Sequence, residues 1–218
     1  MSEFLEWQVV DSAFPTGTFA HSFGLEAAFQ AGEVLDVAGL EVFLDSAMTQ
    51  AGYAQLPLLN AAHLAPERLE VLDALADAFL INPVANRASR VQGRALLASA
   101  RRVWPSSALD DLKVLSDATQ AHAAPLTGAV FRAIGLSLRS AQRILLYGTA
   151  RGVLLAAVRL GIVGGYEAQR LQFECGRRLS LLAERCGGLG EDDLAQTAPV
   201  FDLLQSNHDR LYSRLFQS

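Results

Sequence analysis

The sequence predicts an all-α protein, a single compact bundle of roughly eight to ten helices with a C-terminal tail. Apolar residues recur at helical spacing through most of the 218 residues. The sustained alternation of apolar and polar residues that would predict strands is nearly absent. Hydrophobic residues make up 51% of the chain, and no linker or internal repeat divides it, so we predict one domain over residues 1–218.

Proline, glycine and capping signals place the elements in chain order. A short helix over residues 4–10 leads into an elbow, residues 11–26, that contains a Pro15–Gly17 turn. Ser22 is the expected N-cap of the next helix, which Gly32 ends. Further helices are predicted over residues 37–51, 57–63, 66–80, 84–104, 107–117, 125–138, 140–160 and 166–186. The stretch 140–160 is strongly apolar and is the expected central buried helix.

The tail, residues 187–218, differs in composition from the body. It opens with the flexible, acidic stretch GGLGEDD, and apolar groups alternate with polar ones after Pro199. Two interpretations fit this pattern: a final helix packed on its own bundle, or a segment that becomes ordered on a partner. We predict that the tail is flexible or ordered by a partner.

Charge and composition exclude several classes of protein. The net charge of −5 argues against nucleic-acid binding. No apolar run of about 18 residues exists, so no membrane span is expected. The first residues do not resemble a secretory signal, which leaves the cytoplasm as the expected location. The excess of apolar residues favours surfaces that are buried against partners.

Motifs for catalysis and metal binding are missing from the sequence. It contains no GxxxxGK[ST], GxSxG, HExxH or CxxC. Its four histidines, at positions 21, 63, 122 and 208, occur singly, which is typical of polar edge or capping positions. We therefore predict no catalytic residue, no metal site and no enzyme activity. A helical interaction protein is favoured, and the alternative is an all-α small-ligand-binding protein or enzyme that uses the apolar bundle as a pocket.

Three segments resemble the UreF group of urease accessory proteins. The first has the form P-x-G-x-F-x-[HY]-S-x-G-L-E, and the second is AAVRLGIVGGYEAQ. The third has the form H-x-x-L-x-x-R-L-F-x-S. The chain departs from many members at Asp11-Ser12-Ala13, where those have Ser-Pro. The matching residues are Pro15, Gly17, Phe19, His21, Ser22, Gly24, Leu25 and Glu26; Ala157, Arg159, Leu160, Gly161, Gly164 and Gln169; and His208, Leu211, Arg214, Leu215, Phe216 and Ser218.

The resemblance implies a non-enzymatic, chaperone-like factor for nickel insertion into urease. Members dimerise and bind the D/H-type accessory protein, and the complex recruits the nickel-carrying G-type GTPase to apo-urease. Nickel and GTP would then be handled by the complex, with no cofactor bound by this chain. Control of GTP hydrolysis by an arginine is a further option, with Arg87, Arg94 and Arg159 as candidates. The expected partner-binding residues are Pro15, Gly17, His21, Ser22, Glu26, Arg159, Gly161, Gly164, Gln169, His208, Tyr212, Arg214, Leu215 and Phe216.

Overall fold

The computed structural model describes residues 4–16 and 18–218, and within these residues it confirms the all-α prediction. No helix of this part of the chain combines enough length and apolar character to cross a membrane. The helices are α1 (Phe4–Val10), α2 (Leu25–Gln30), α3 (Val37–Gln50), α4 (Leu56–Leu64), α5 (Leu69–Phe79), α6 (Pro83–Val103), α7 (Ser107–Asp117), α8 (Ala123–Ala133), α9 (Leu138–Arg159), α10 (Gly165–Glu174), α11 (Gly176–Cys186) and α12 (Pro199–Ser206).

Helix α9 lies at the centre of the molecule, as its apolar sequence predicts. Its residues Leu146 and Val153 are buried in a cluster shared with α3 and α11. Near its start, Ala141 is buried in a second cluster formed with α4 to α8. Ser137 caps the helix by accepting the Ser140 N–H at 3.1 Å. One long helix thus carries both halves of the core and gives the elbow and the tail a rigid support.

The start of α8 is fixed by polar side chains. The Asp73 carboxylate accepts the backbone N–H groups of Gln120 at 2.7 Å and His122 at 2.6 Å. Ser89 Oγ accepts the N–H of Ala123 at 3.0 Å. These acceptors satisfy N–H groups that have no partner inside the helix, so they stabilise its first turn.

Three local predictions about helix boundaries are wrong. The helix predicted over residues 125–138 ends at Ala133. A π-helical turn over Ala51–Gln55 joins α3 to α4, so Pro57 does not open a separate segment. Pro57 is the second residue of α4 and has no N–H to donate to the Tyr53 carbonyl four residues earlier, which accepts the Ala195 N–H at 3.1 Å instead. The predicted helix over residues 166–186 is divided at Cys175, with Gly176 opening α11. Glycine's low helix propensity favours a break at this position.

The tail lies on the surface of the bundle in this structure. Gln50 Oε1 accepts the backbone N–H of Thr197 at 2.7 Å. The rings of Phe43 and Phe201 pack with their centroids 4.4 Å apart. This arrangement matches the interpretation in which a final helix packs on its own bundle. That a partner orders the tail stays a prediction.

Candidate functional site

The elbow is anchored at its beginning to the end of α6. The Phe14 ring stacks on Trp104 with the centroids 5.0 Å apart. The Pro15 carbonyl accepts a hydrogen bond from Ser99 Oγ at 2.7 Å. Pro15 itself is exposed, and Gly17 lies outside the described residues. The stacked rings and the fixed φ of proline therefore hold one end of the elbow against the bundle.

The elbow then turns through two left-handed residues before α2 begins. Phe23 has φ 58° and Gly24 has φ 86°. Gly24 precedes Leu25, the first residue of α2, and supplies no side-chain cap. The predicted N-cap role of Ser22 is therefore wrong. Its hydroxyl donates instead to the carbonyl oxygen of Ser218 at 2.8 Å.

Glu26 is a buried hydrogen-bond acceptor for the tail, with only 1% of its surface exposed. Its Oε1 accepts the backbone N–H of Leu215 at 2.6 Å, and its Oε2 accepts that of Phe216 at 3.2 Å. Oε2 also lies 3.1 Å from Nε2 of His208, which is fully buried. Burying a carboxylate is costly without such donors, so these three contacts fix the tail to α2.

A second set of hydrogen bonds joins the elbow to the end of the chain. The N–H of Ser22 donates to the Ser218 carbonyl at 2.7 Å, and the N–H of Gln217 donates to the Ala20 carbonyl at 2.8 Å. His21 Nδ1 lies 2.5 Å from Ser218 Oγ, a contact between residues 197 positions apart. We call this unit, residues 19–26 with residues 208–218, the elbow–tail junction.

Arg159, at the end of α9, holds the two sides of the junction together. Its guanidinium donates to the Phe19 carbonyl at 2.8 Å and to the Leu215 carbonyl at 3.1 Å. The same group lies 4.5 Å from the Phe19 ring centroid and 4.0 Å from that of Phe216. The planar, permanently charged guanidinium suits this combined role of donor and cation–π partner.

The other expected residues of the second segment lie away from the junction. Gly161 has φ 75° in the turn after α9, a conformation that glycine adopts without strain. Gly164 precedes the first residue of α10, and Gln169 is exposed on that helix. Among the expected partner-binding residues of this segment, Arg159 is the one whose hydrogen bonds reach the described residues of the elbow and the tail.

On the side away from the buried contacts, the tail exposes several side chains to solvent. Tyr212 is fully exposed, and Leu215 is 60% exposed although its backbone binds Glu26. Arg214 is also exposed and lies 3.6 Å from Asp209. Eight of the expected partner-binding residues thus form two groups. His21, Ser22, Glu26, His208 and Phe216 are buried within the chain, whereas Tyr212, Arg214 and Leu215 face outward.

The sequence predicts the histidines at polar edge or capping positions. Only His122 is at such a position, as the N-cap residue of α8, and none of the four is at an exposed edge. His21, His63, His122 and His208 are all buried. Burial lowers the pKa of His21 below its usual 6.5, and the nearby His208 lowers it further. His21 is therefore neutral at pH 7, with one ring nitrogen facing the Ser218 hydroxyl.

The lowered pKa of His21 predicts a loss of stability in mild acid. Below pH 6.5, the pKa of His21 in the unfolded chain, the unfolded chain binds a proton at His21 that the folded chain does not bind. The contribution is therefore complete above that pH and falls by up to about 1.4 kcal/mol per pH unit below it. Urea unfolding from pH 7 to pH 5 should show a steeper loss for the native chain than for His21→Gln. Parallel pH profiles would contradict this expectation.

Sequence reasoning missed two residues of α9 that contact the N-terminal part of the chain. A Cβ on Gly152 would lie 2.4 Å from a ring carbon of Phe23, so only glycine lets the elbow approach the helix this closely. Arg151 donates to the carbonyl of Val10. The spacing of Gly148, Gly152 and Ala156, one helical turn apart, is a signal that could have indicated close approach at this face.

The described residues offer no cluster of three or more histidine, cysteine, aspartate or glutamate side chains that could hold a metal ion. The buried Glu26–His208 pair is satisfied by contacts within the chain. That the chain binds no cofactor of its own stays a prediction.

Comparison with known proteins gives consistent matches. The UreF family model matches residues 34–176. Urease accessory protein F of Oryza sativa subsp. indica is 35% identical over 217 residues, covering 97% of this chain and 83% of its own. The Arabidopsis thaliana protein of that name is 36% identical over 221 residues, covering 98% and 91%. Urease accessory protein UreF of Mycobacterium tuberculosis is 33% identical over 214 residues, covering 96% of each chain.

The relatives align over nearly the whole chain, so their similarity extends beyond the region that the family model matches. The resemblance of the three segments is thereby confirmed. With the all-helical fold and these matches, the chain belongs to the UreF family.

Proposed function

We propose that this chain is an accessory protein of urease maturation that works as a non-catalytic adaptor. The observation that carries the proposal is the elbow–tail junction, in which buried hydrogen bonds hold exposed apolar side chains on a fixed support. Interfaces draw most of their energy from a few such aromatic and arginine anchors. The buried residues of the junction then act by positioning, and Tyr212, Arg214 and Leu215 make the contacts.

The partners in this proposal are the D/H-type accessory protein, the G-type GTPase and apo-urease. The adaptor works in the cytoplasm as a homodimer, and the complex inserts nickel into apo-urease. In this scheme GTP and nickel belong to the GTPase. The names of the relatives support the link to urease, since each is a urease accessory protein.

A pocket-based enzyme or small-ligand carrier is less well supported. The two cavities beside the elbow and α9 have volumes of about 150 and 140 Å³. Sites for drug-sized ligands usually measure about 300–1,000 Å³. A larger groove along α6, of about 500 Å³, is open to solvent. These dimensions favour protein contacts over enclosure of a metabolite.

Replacing Tyr212 by alanine tests the adaptor surface without disturbing the fold. The side chain is fully exposed, so we expect an unchanged Tm. Affinity for the D/H-type protein should fall about tenfold or more, the usual effect of losing an aromatic anchor. Calorimetric titration of the purified partner measures this change.

The matched control is Val114→Ala, which trims an exposed apolar side chain on α7. It should leave the affinity unchanged. Equal affinities for native chain, Tyr212→Ala and a Leu215→Ala variant would move the contact surface away from the tail. No binding by the native chain would overturn the adaptor proposal itself.

An arginine supplied in trans to the GTPase is a second proposed role, and the contacts of the three candidate arginines differ. Arg87 pairs with Asp209 at 2.8 Å, and Arg159 is held within the junction. Arg94 donates one long bond, 3.3 Å, to the Gln120 carbonyl, and is the easiest of the three to redirect. Arg94→Ala should then slow GTP hydrolysis by the assembled complex at least tenfold, whereas an unchanged rate would exclude Arg94.

A further inference from the structure

The elbow, α9 and the end of the tail enclose a cavity of about 150 Å³. Residues 12–16 of the elbow form one wall, α9 forms another, and Phe19 and Phe216 close the end. The guanidinium groups of Arg151 and Arg159, two helical turns apart on α9, both line it. The cavity is the right size for a small ion and a few waters.

The charge of this cavity is unbalanced. None of the described residues that line it is acidic, and neither arginine forms an ion pair with a described carboxylate. Arg151 donates to the Val10 carbonyl, and Arg159 donates to the carbonyls of Phe19 and Leu215. These neutral acceptors orient the two groups. The Asp11 carboxylate, which accepts the Ala13 N–H at 2.7 Å, lies next to the elbow wall but is not part of the lining and forms no ion pair with either arginine. A bound anion would give the half-buried Arg151 and the exposed Arg159 a charge partner.

We propose that this cavity is a binding site for a carboxylate, with Arg151 and Arg159 as its positive partners. A guanidinium presents paired N–H donors that match the two oxygens of a carboxylate, and it stays charged at every physiological pH. The carboxylate is either a free small anion or the side chain of a protein docked on the junction. This proposal is independent of the adaptor role, because carboxylate binding can be measured on the isolated chain.

The first arm of the test follows thermal unfolding of the full chain in sodium acetate against sodium chloride at equal ionic strength. Acetate should raise the Tm by about 3–5 °C at tenfold its dissociation constant, and the rise should saturate. Acetate also stabilises proteins without a specific site, so the measured quantity is the difference between native chain and variants. Arg151→Gln should lose the saturable part, and Arg102→Gln, an exposed arginine elsewhere, should retain it.

A second variant keeps the test decisive if Arg151→Gln folds poorly. Ala13 is exposed and lines the cavity, so Ala13→Glu can supply a carboxylate from the chain itself. We expect a higher Tm without acetate and no saturable rise with it. If the native chain shows no saturable rise, or if Ala13→Glu and Arg151→Gln both retain it, the proposal is overturned.

The second arm distinguishes the source of the carboxylate. The affinity of the D/H-type protein is measured with native chain, Ala13→Glu and Arg151→Gln, with and without saturating acetate. A tenfold loss of affinity for Ala13→Glu, for Arg151→Gln and for the native chain in acetate assigns the cavity to a partner's acidic side chain. Unchanged affinity assigns it to a free anion. Since the first arm needs no partner, failure of the adaptor proposal leaves this inference testable.

Discussion

Replacement of Glu26 by alanine is expected to release the end of the tail. The change removes the acceptor of the Leu215 and Phe216 N–H groups and the partner of the buried His208. A buried donor left without its acceptor costs about 1–3 kcal/mol, so the loss of all three contacts should lower the free energy of unfolding by about 3 kcal/mol or more. Hydrogen exchange should show lost protection at the amides of residues 215 and 216, and urea unfolding should show the lower stability.

The control for this change is Glu33→Ala, an exposed glutamate just after α2. It should alter the free energy of unfolding by no more than about 0.5 kcal/mol. Glu26→Gln should fall between the two, because one acceptor oxygen becomes an amide that faces a backbone donor. Retained protection at residues 215 and 216 in Glu26→Ala would mean that the other contacts of the junction suffice without this carboxylate.

Replacement of Gly128 by alanine is expected to separate two helices of the core. A Cβ at this position would lie 2.2 Å from the Leu59 carbonyl oxygen and 3.0 Å from the His63 nitrogen. Both are backbone atoms of α4, so no side chain can rotate away and the whole of α8 must shift. We expect a loss of about 3 kcal/mol or more and a Tm lower by about 6–12 °C.

The matched control is Gly148→Ala on α9, where an added Cβ meets nothing within 4 Å. Alanine favours the helical conformation over glycine by about 0.5–1 kcal/mol, so this variant should be more stable than the native chain. Opposite signs for the same chemical change would establish that close packing of α4 and α8 depends on Gly128. Equal losses would indicate instead that both glycines matter through backbone freedom alone.

The sequence was sufficient for features that depend on local periodicity. The apolar repeat over residues 140–160 predicted a central helix, and α9 fills that role. Asn82-Pro83 correctly marked the boundary between α5 and α6, because Asn82 caps α6 through the N–H of Val84 at 3.0 Å. Such signals act within one or two turns and need no knowledge of the rest of the chain.

The junction could not be predicted in the same way. Serine is a common N-cap residue, but the Ser22 hydroxyl donates its hydrogen bond to Ser218, 196 positions away. His208 occurs singly in the sequence, yet in the folded chain its ring lies 3.1 Å from Glu26 inside the protein. The family resemblance marked residues in three segments without indicating that they contact one another. Long-range hydrogen bonds of this kind leave no periodic pattern, so only the folded chain reveals them.

The order of synthesis gives the elbow–tail junction a further consequence. A ribosome makes residues 19–26 early and residues 208–218 long afterwards. Glu26 therefore has no N–H donors from the tail while nearly the whole bundle is made. Contacts between such distant positions form late, after the local helices have collapsed. A chain broken off before residue 208 cannot close the junction. In terms of the adaptor proposal, such a chain lacks the surface that partners would bind.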